Sequence, residues 1–291
     1  IAAVIAAASV LALAACSTLP KGVDGDLVDN WATMATPTQV LPKVGDCYSL
    51  EVGNMQANNV EPCSSSHLVE IFFVGVFTDA AAAAKTPPKD GLTALAGAYG
   101  ICQAPAKKFL GEDWHDGLLT VGVIAPDADG WTGGARWFAC SVSVAEGLDN
   151  SDATYSAGSL KGVLTKPGKL KLSCVNWTNG KASFSNEKVG SCAKPHSAEF
   201  AGLYRVPGAA YPSTKRYEQV GGAGCQTVVA HYLGFSDGVD RNSTVGWAWA
   251  YNTKAEWNDG DHTLRCYASA YTHDRKFTGT VKGIGRRNAK G

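Results

Sequence analysis

Nine cysteines occur in this 291-residue chain, and eight of them fall into two sets of four with matching surroundings. Cys63-Ser64-Ser65-Ser66-His67-Leu68-Val69-Glu70 parallels Cys192-Ala193-Lys194-Pro195-His196-Ser197-Ala198-Glu199, both reading C-x-x-x-H-x-x-E ahead of an apolar run. Cys102-Gln103 opens a stretch that ends Phe109-Leu110-Gly111, and Cys225-Gln226 opens one that ends Tyr232-Leu233-Gly234 at the same offset. Trp131 precedes Cys140 by nine residues, as Trp257 precedes Cys266. Gly158-Ser159-Leu160-Lys161-Gly162-Val163 is echoed by Gly279-Thr280-Val281-Lys282-Gly283-Ile284. So many ordered matches predict two tandem repeats, 40–165 and 166–286, each with a small core of its own. An even cysteine set in an exported chain reads as a disulfide framework. No C-x-x-C pair occurs, which argues against thiol-redox chemistry and against a structural zinc site.

The ninth cysteine stands apart. Residues 1–15 read IAAVIAAASVLALAA, with Ser9 the single polar residue, and the run ends Leu13-Ala14-Ala15-Cys16. A span needs about 20 apolar residues, so this run fits the hydrophobic region of an export signal instead. Its end resembles the lipobox of bacterial lipoproteins. That resemblance implies removal of 1–15, a diacylglyceryl group on Cys16 and a location on the outer face of the cytoplasmic membrane. Residues 16–39, polar and broken by Pro20 and Pro37, read as a tether. The chain has 26 basic and 26 acidic residues. A general nucleic-acid binder needs a basic excess, so that class is set aside.

Within each repeat the pattern predicts an α+β fold, a mostly antiparallel sheet with one packed helix. In the first, Cys47–Val52, Ile71–Phe77, Leu118–Ile124 and Arg136–Val144 read as strands. Leu92–Leu110 reads as a helix that Pro105 kinks or divides. In the second, the strands are Leu170–Trp177, Glu199–Val206, Thr244–Tyr251 and Thr263–Tyr271, with a helix over Tyr217–Leu233. Trp247, Trp249 and Tyr251 alternate with small residues, the period of a half-buried strand. A hairpin sets the first and second cysteines of each repeat opposite each other. The change of spacing from 16 to 18 between repeats is even and preserves the face. The third cysteine, on the helix, then reaches the fourth on the strand beneath. The expected bonds are Cys47–Cys63, Cys102–Cys140, Cys174–Cys192 and Cys225–Cys266.

The lipobox, Gly45-Asp46-Cys47, the Cys-x-x-x-His-x-x-Glu element and the later Cys-Gln helix together resemble the actinobacterial septum formation family of envelope proteins. The resemblance covers about 40–286. Its most specific piece is Cys192–Glu199, with Pro195 directly before His196. The first repeat has Ser66 at that place, and the second reads Leu172-Ser173-Cys174 where the first has Gly-Asp-Cys. The resemblance implies a role at the cell envelope, in division, and carries over no reaction and no catalytic residue.

Candidate chemistry is sparse. His67/Glu70 and His196/Glu199 are the polar pairs of most interest. They open a strand, where residues three apart point to opposite faces, so neither pair is expected to chelate as a unit. The favoured reading is a histidine packed near a disulfide and bonding a loop carbonyl, ahead of a ligand or proton-linked role, with metal last. Ser185-Asn186-Glu187-Lys188 matches S-x-x-K but lies in an expected hairpin turn and has no S-D-N or K-T-G partner. No H-E-x-x-H or G-x-S-x-G occurs. Trp114 and Trp131, in Gly- and Asp-rich loops, are the candidates for an exposed, sugar-stacking surface. After Tyr271 the chain is basic, ending in a tail, 287–291, that is expected to be solvated or to touch anionic lipid.

These readings favour a non-enzymatic envelope lipoprotein, without cofactor or metal, that binds an envelope protein or a wall glycan or rides on a large membrane complex. The alternative is an exported wall hydrolase, whose paired carboxylates need not be close in sequence.

Overall fold

The computed structural model describes residues 41–49, 60–89, 93–147, 152–176, 189–236, 244–250, 252–270 and 276–285. The expected signal segment, Cys16, the tether, the S-x-x-K stretch and the basic tail lie outside them. Among the described residues no helix is long and apolar enough to cross a membrane.

The first half runs β1 (Cys47–Tyr48), β2 (Val60–Glu61), β3 (Ser66–His67), β4 (Val69–Val76), α1 (Asp79–Ala82), α2 (Thr93–Leu110), β5 (Leu119–Ile124), α3 (Ala128–Thr132), β6 (Trp137–Ala145), β7 (Ala153–Thr154) and β8 (Ser156–Ala157). Its main sheet has the order β2-β1-β4-β6-β5, with β7 also on β6 and every pairing antiparallel. The central strand β6 is buried over all but its first residue, as a strand flanked on both edges must be.

The second half runs β9 (Cys174–Val175), β10 (Val189–Gly190), β11 (Ala198–Arg205), α4 (Thr214–Leu233), β12 (Val245–Ala250), α5 (Lys254–Asp259) and β13 (Thr263–Ala270). Its sheet order is β10-β9-β11-β13-β12, again antiparallel. Read in chain order, this is the path of the first sheet. Both sheets carry a register shift at the same point, between Ile71 and Phe73 in β4 and between Phe200 and Gly202 in β11. The architecture is thus α+β, and four disulfides join Cys47–Cys63, Cys102–Cys140, Cys174–Cys192 and Cys225–Cys266.

Each long helix lies on one face of its sheet and is anchored there by its cysteine. Around Cys102 and Cys140 gather Phe72, Leu95, Tyr99, Leu110, Leu119 and Phe138. Around Cys225 and Cys266 gather Tyr217, Val229, Leu233, Val245 and Leu264. Helix α4 approaches closely because three glycines face the sheet. A Cβ on Gly224 would stand 2.2 Å from the Tyr204 ring, and Gly222 lies under Trp249. Pro105 does not divide α2, which is assigned as one helix over all 18 residues. The missing N–H at Pro105 would bond the Ile101 carbonyl. Ile101 is on the exposed side, where water can take that carbonyl.

Trp114 and Trp131 are not surface residues. Trp131 is 1% exposed and Trp114 6%. The loop around Trp131 closes into α3, which turns the indole into the core so that its Nε1 donates to the Ala84 carbonyl at 2.8 Å. Trp257, on α5, is buried in the same way and donates to the Ala209 carbonyl at 3.1 Å. Trp114 sits on a 3₁₀ turn (Trp114–Asp116) that docks on α2, where its Nε1 donates to Gln103 Oε1 at 3.1 Å.

The described residues form one compact unit. The connection between the halves contributes directly to this. Leu118 N donates to the Leu170 carbonyl and Leu172 N to the Asp116 carbonyl, so the connecting segment is laced onto the first half before the second begins.

Candidate functional site

The His and Glu of each cysteine element are buried, and the glutamates do the same thing in both halves. Glu70 is paired across the ladder with Cys47, and Glu199 with Cys174. The Glu70 carboxylate accepts from Ser159 Oγ at 2.6 Å and from Leu160 N at 2.6 Å. Glu199 accepts from Thr280 Oγ1 at 2.8 Å, Val281 N at 2.9 Å and Tyr232 OH at 2.6 Å. Each glutamate therefore receives the Gly-Ser/Thr-Leu/Val-Lys-Gly turn that ends its own half. A buried carboxylate is tolerable when hydrogen bonds fill its lone pairs.

The histidines depart from the expectation in one respect. Both bond a loop carbonyl through Nδ1, His67 to Ser65 at 2.9 Å and His196 to Lys194 at 2.7 Å. In the second half, however, His196 Nε2 reaches Glu199 Oε1 at 2.9 Å, so the two side chains do not diverge. Strand alternation fails because β11 begins at Ala198, leaving His196 in the preceding loop. In the first half His67 Nε2 is buried without a hydrogen-bond partner. Cys174, Cys192, His196 and Glu199 lie at metal-ligand spacing, as do Cys47, Cys63 and Glu70. The sulfurs in both groups are joined as disulfides, which removes the thiolates a metal would need.

A second constellation, which no local spacing in the sequence marks, lies where the halves meet. His115 is 4% exposed and bridges two carboxylates: Nδ1 to Asp113 Oδ1 at 2.6 Å and Nε2 to Asp261 Oδ1 at 3.0 Å. Asp261 also accepts from Thr263 N at 2.9 Å and, through Oδ2, from Asn252 Nδ2 at 3.0 Å. Asn252 Oδ1 in turn accepts from Tyr217 OH at 3.0 Å. Arg265 crosses the same seam, donating from Nε to the His115 carbonyl at 2.9 Å and from Nη2 to the carbonyls of Gly117 (3.3 Å) and Leu119 (3.1 Å). The Trp114 ring stacks on His115 at 3.6 Å.

The electrostatics of this cluster are those of an ion triad in which His115 and Asp261 are buried and Asp113 is exposed at one end. Burial alone favours neutral His115, but the Asp261 charge and the bonds to both aspartates outweigh it and raise its pKa above 6.5. Burial likewise pushes Asp261 and Asp113 upward, and the His115 contacts more than reverse this, so both fall below 3.8. Asp116, without such a contact, is raised by burial and then by the neighbouring Asp113 and Glu112 charges. The triad was invisible in sequence because His115 and Asp261 are 146 residues apart. The available signal was the dense Glu112-Asp113-Trp114-His115-Asp116 run beside a tryptophan already singled out.

The geometry defines a class: a disulfide-stapled α+β protein of two like-ordered sheets, locked by a buried His–carboxylate seam. The chain belongs to the Septum formation family, whose model matches residues 44–266. Membership points to a role in cell division or the envelope. No curated protein and no solved structure matches the chain.

Proposed function

We propose that the protein is a non-enzymatic lipoprotein of the actinobacterial envelope, anchored through Cys16 on the outer face of the cytoplasmic membrane. Its two sheet modules then form one rigid surface for an envelope protein or wall glycan. The observation that carries the non-catalytic part is the state of Glu199. Its carboxylate contacts His196, Tyr232, Thr280 and Val281 N, so the acid and base that stood out in sequence are occupied in closing the module. The lipobox carries the anchoring part, since one apolar run and one acylated cysteine suffice only when more than one chain is attached.

The test uses the full protein with purified peptidoglycan and envelope glycans, wild type beside His67→Ala/His196→Ala. Co-sedimentation without product release is expected for the wild type, with binding and thermal stability falling together in the variant. Reproducible product release by the wild type that disappears in the variant would convert the reading to a wall hydrolase. For the anchor, Cys16→Ser is expected to release the protein to the medium or leave it unprocessed. Unchanged mass and membrane retention would refute that part.

A further inference from the structure

The cysteine element of the second half brings four donor side chains to one place. Cys174, Cys192, His196 and Glu199 each offer one atom, and these atoms all lie within 4.8 Å of one another. In the first half the grouping is of three, Cys47, Cys63 and Glu70. A tetrahedral zinc ion holds its ligand atoms about 3.4–3.8 Å from one another, so the second cluster has the size the ion needs. Cys174, His196 and Glu199 are buried, while Cys192 is half-buried and gives solvent a way in.

The histidine and the glutamate are also supported as metal ligands are. The Lys194 carbonyl can only accept, so His196 donates to it from Nδ1, at 2.7 Å. That tautomer turns a lone pair on Nε2 toward Glu199 Oε1, 2.9 Å away. Glu199 is held from behind by Tyr232 OH and Thr280 Oγ1 on Oε2 and by Val281 N on Oε1. In the disulfide form one hydrogen fills the contact between Nε2 and Oε1. A zinc ion can take its place once the contact opens by about half an ångström. Two thiolates and one carboxylate set three negative charges against the two of zinc, and the hydrogen bonds to Glu199 take up the remainder.

Every disulfide begins as two thiols, so the dithiol form of this cluster is an obligate stage in the life of the protein. We propose that in this form Cys174, Cys192, His196 and Glu199 bind one zinc ion, which the Cys174–Cys192 disulfide later replaces. Zinc binding releases the two thiol protons and the hydrogen between His196 and Glu199. A disulfide oxidant then takes two electrons from the thiolates. The Cys174–Cys192 bond forms, the oxidant leaves as a dithiol with two protons from water, and the zinc ion is set free. Until then the metal joins the residues that the staple will join. The site stands independently of the lipid anchor and of any envelope partner.

The experiment uses the full chain, reduced without oxygen by a water-soluble phosphine, freed of reductant and titrated with cobalt(II), then with zinc. One equivalent of cobalt is expected to give the absorption of a thiolate-bound tetrahedral ion, and zinc to bleach it. Zinc should slow alkylation of Cys174 and Cys192 at least tenfold, and that of Cys47 and Cys63 less. This pattern is read by mass spectrometry in the wild type and needs no variant to fold. His196→Ala and Glu199→Gln should each weaken zinc binding at least tenfold, whereas Cys47→Ala/Cys63→Ala should bind as the wild type does. Absence of the cobalt band, equal protection of the two cysteine pairs, or equal zinc uptake by the oxidised protein would overturn the proposal.

Discussion

His115 makes the stability of the molecule depend on pH from both sides. Its pKa is raised above 6.5, so its contribution is complete below that value and is lost as the pH climbs through the folded-state pKa. Asp113 and Asp261 are lowered below 3.8, so theirs is complete above 3.8 and is lost as the pH falls through their folded-state values. The seam is therefore strongest between 3.8 and 6.5 and weakens on the alkaline side, where a neutral imidazole has one N–H for two carboxylates. Replacing His115 with Asn should flatten that alkaline limb in thermal unfolding and cost about 3 kcal/mol, because Asp261 would stay buried without its partner. An alkaline limb unchanged in the variant would refute the assignment. Residues of this kind were the least legible in sequence. The glutamates at 70 and 199 were visible because local spacing repeats them. His115 and Asp261 carry no mutual spacing, and their meeting depends on how two sheets are set side by side. Trp131 was visible as half of a repeated signal with Trp257, yet its Gly-rich surroundings read as a surface loop. The matching Trp257 nine residues before Cys266 already argued that both positions are core.

At the scale of single elements, the sequence was most informative where period and cysteine spacing agreed. Helices α2 and α4 and the long strands appear within a few residues of their expected places, because each has an apolar face to bury. The short helices α1, α3 and α5 carry no such signal, since four to six residues make one turn without repeating it. Their chemistry is in their caps, as in the Thr253/Glu256 capping box of α5. Two predictions belong to this scale. Replacing Gly224 with Ala should destabilise by about 1–2 kcal/mol, despite the better helix propensity of alanine, because the new methyl displaces the Tyr204 ring. Urea unfolding measures this directly, and an unchanged midpoint would contradict the packing. Replacing both Cys225 and Cys266 with Ala should cost about 4 kcal/mol, against about 3 for Cys47 and Cys63. The first pair closes a loop of 41 residues and the second one of 16. The same unfolding experiment ranks the two.

For the molecule as a whole, Arg265 decides whether the halves behave as one. Its guanidinium holds three carbonyls of the opposite half, and no other described side chain fills that number across the seam. Arg265→Met keeps the stem packing and removes those bonds. The wild type is expected to unfold in one calorimetric transition and the variant in two, one for each half. A single transition in Arg265→Met would show that the laced connecting segment suffices. The placement of the closing turns also bears on the order in which a growing chain can reach this state. An exported chain crosses the membrane amino terminus first, and each glutamate waits for a turn about 80 or 90 residues downstream. Until residues 159–160 emerge, Glu70 has nothing to receive, and the first half stays ajar at its rim. Once they arrive, that half holds both of its disulfide pairs and its own lock with no contribution from beyond residue 164. The second half repeats the sequence of events, and Asp261 and Arg265 help to seal one half against the other. Oxidation can thus proceed in two separate rounds, and a cysteine of the early round never has to wait unpaired for a partner in the late one.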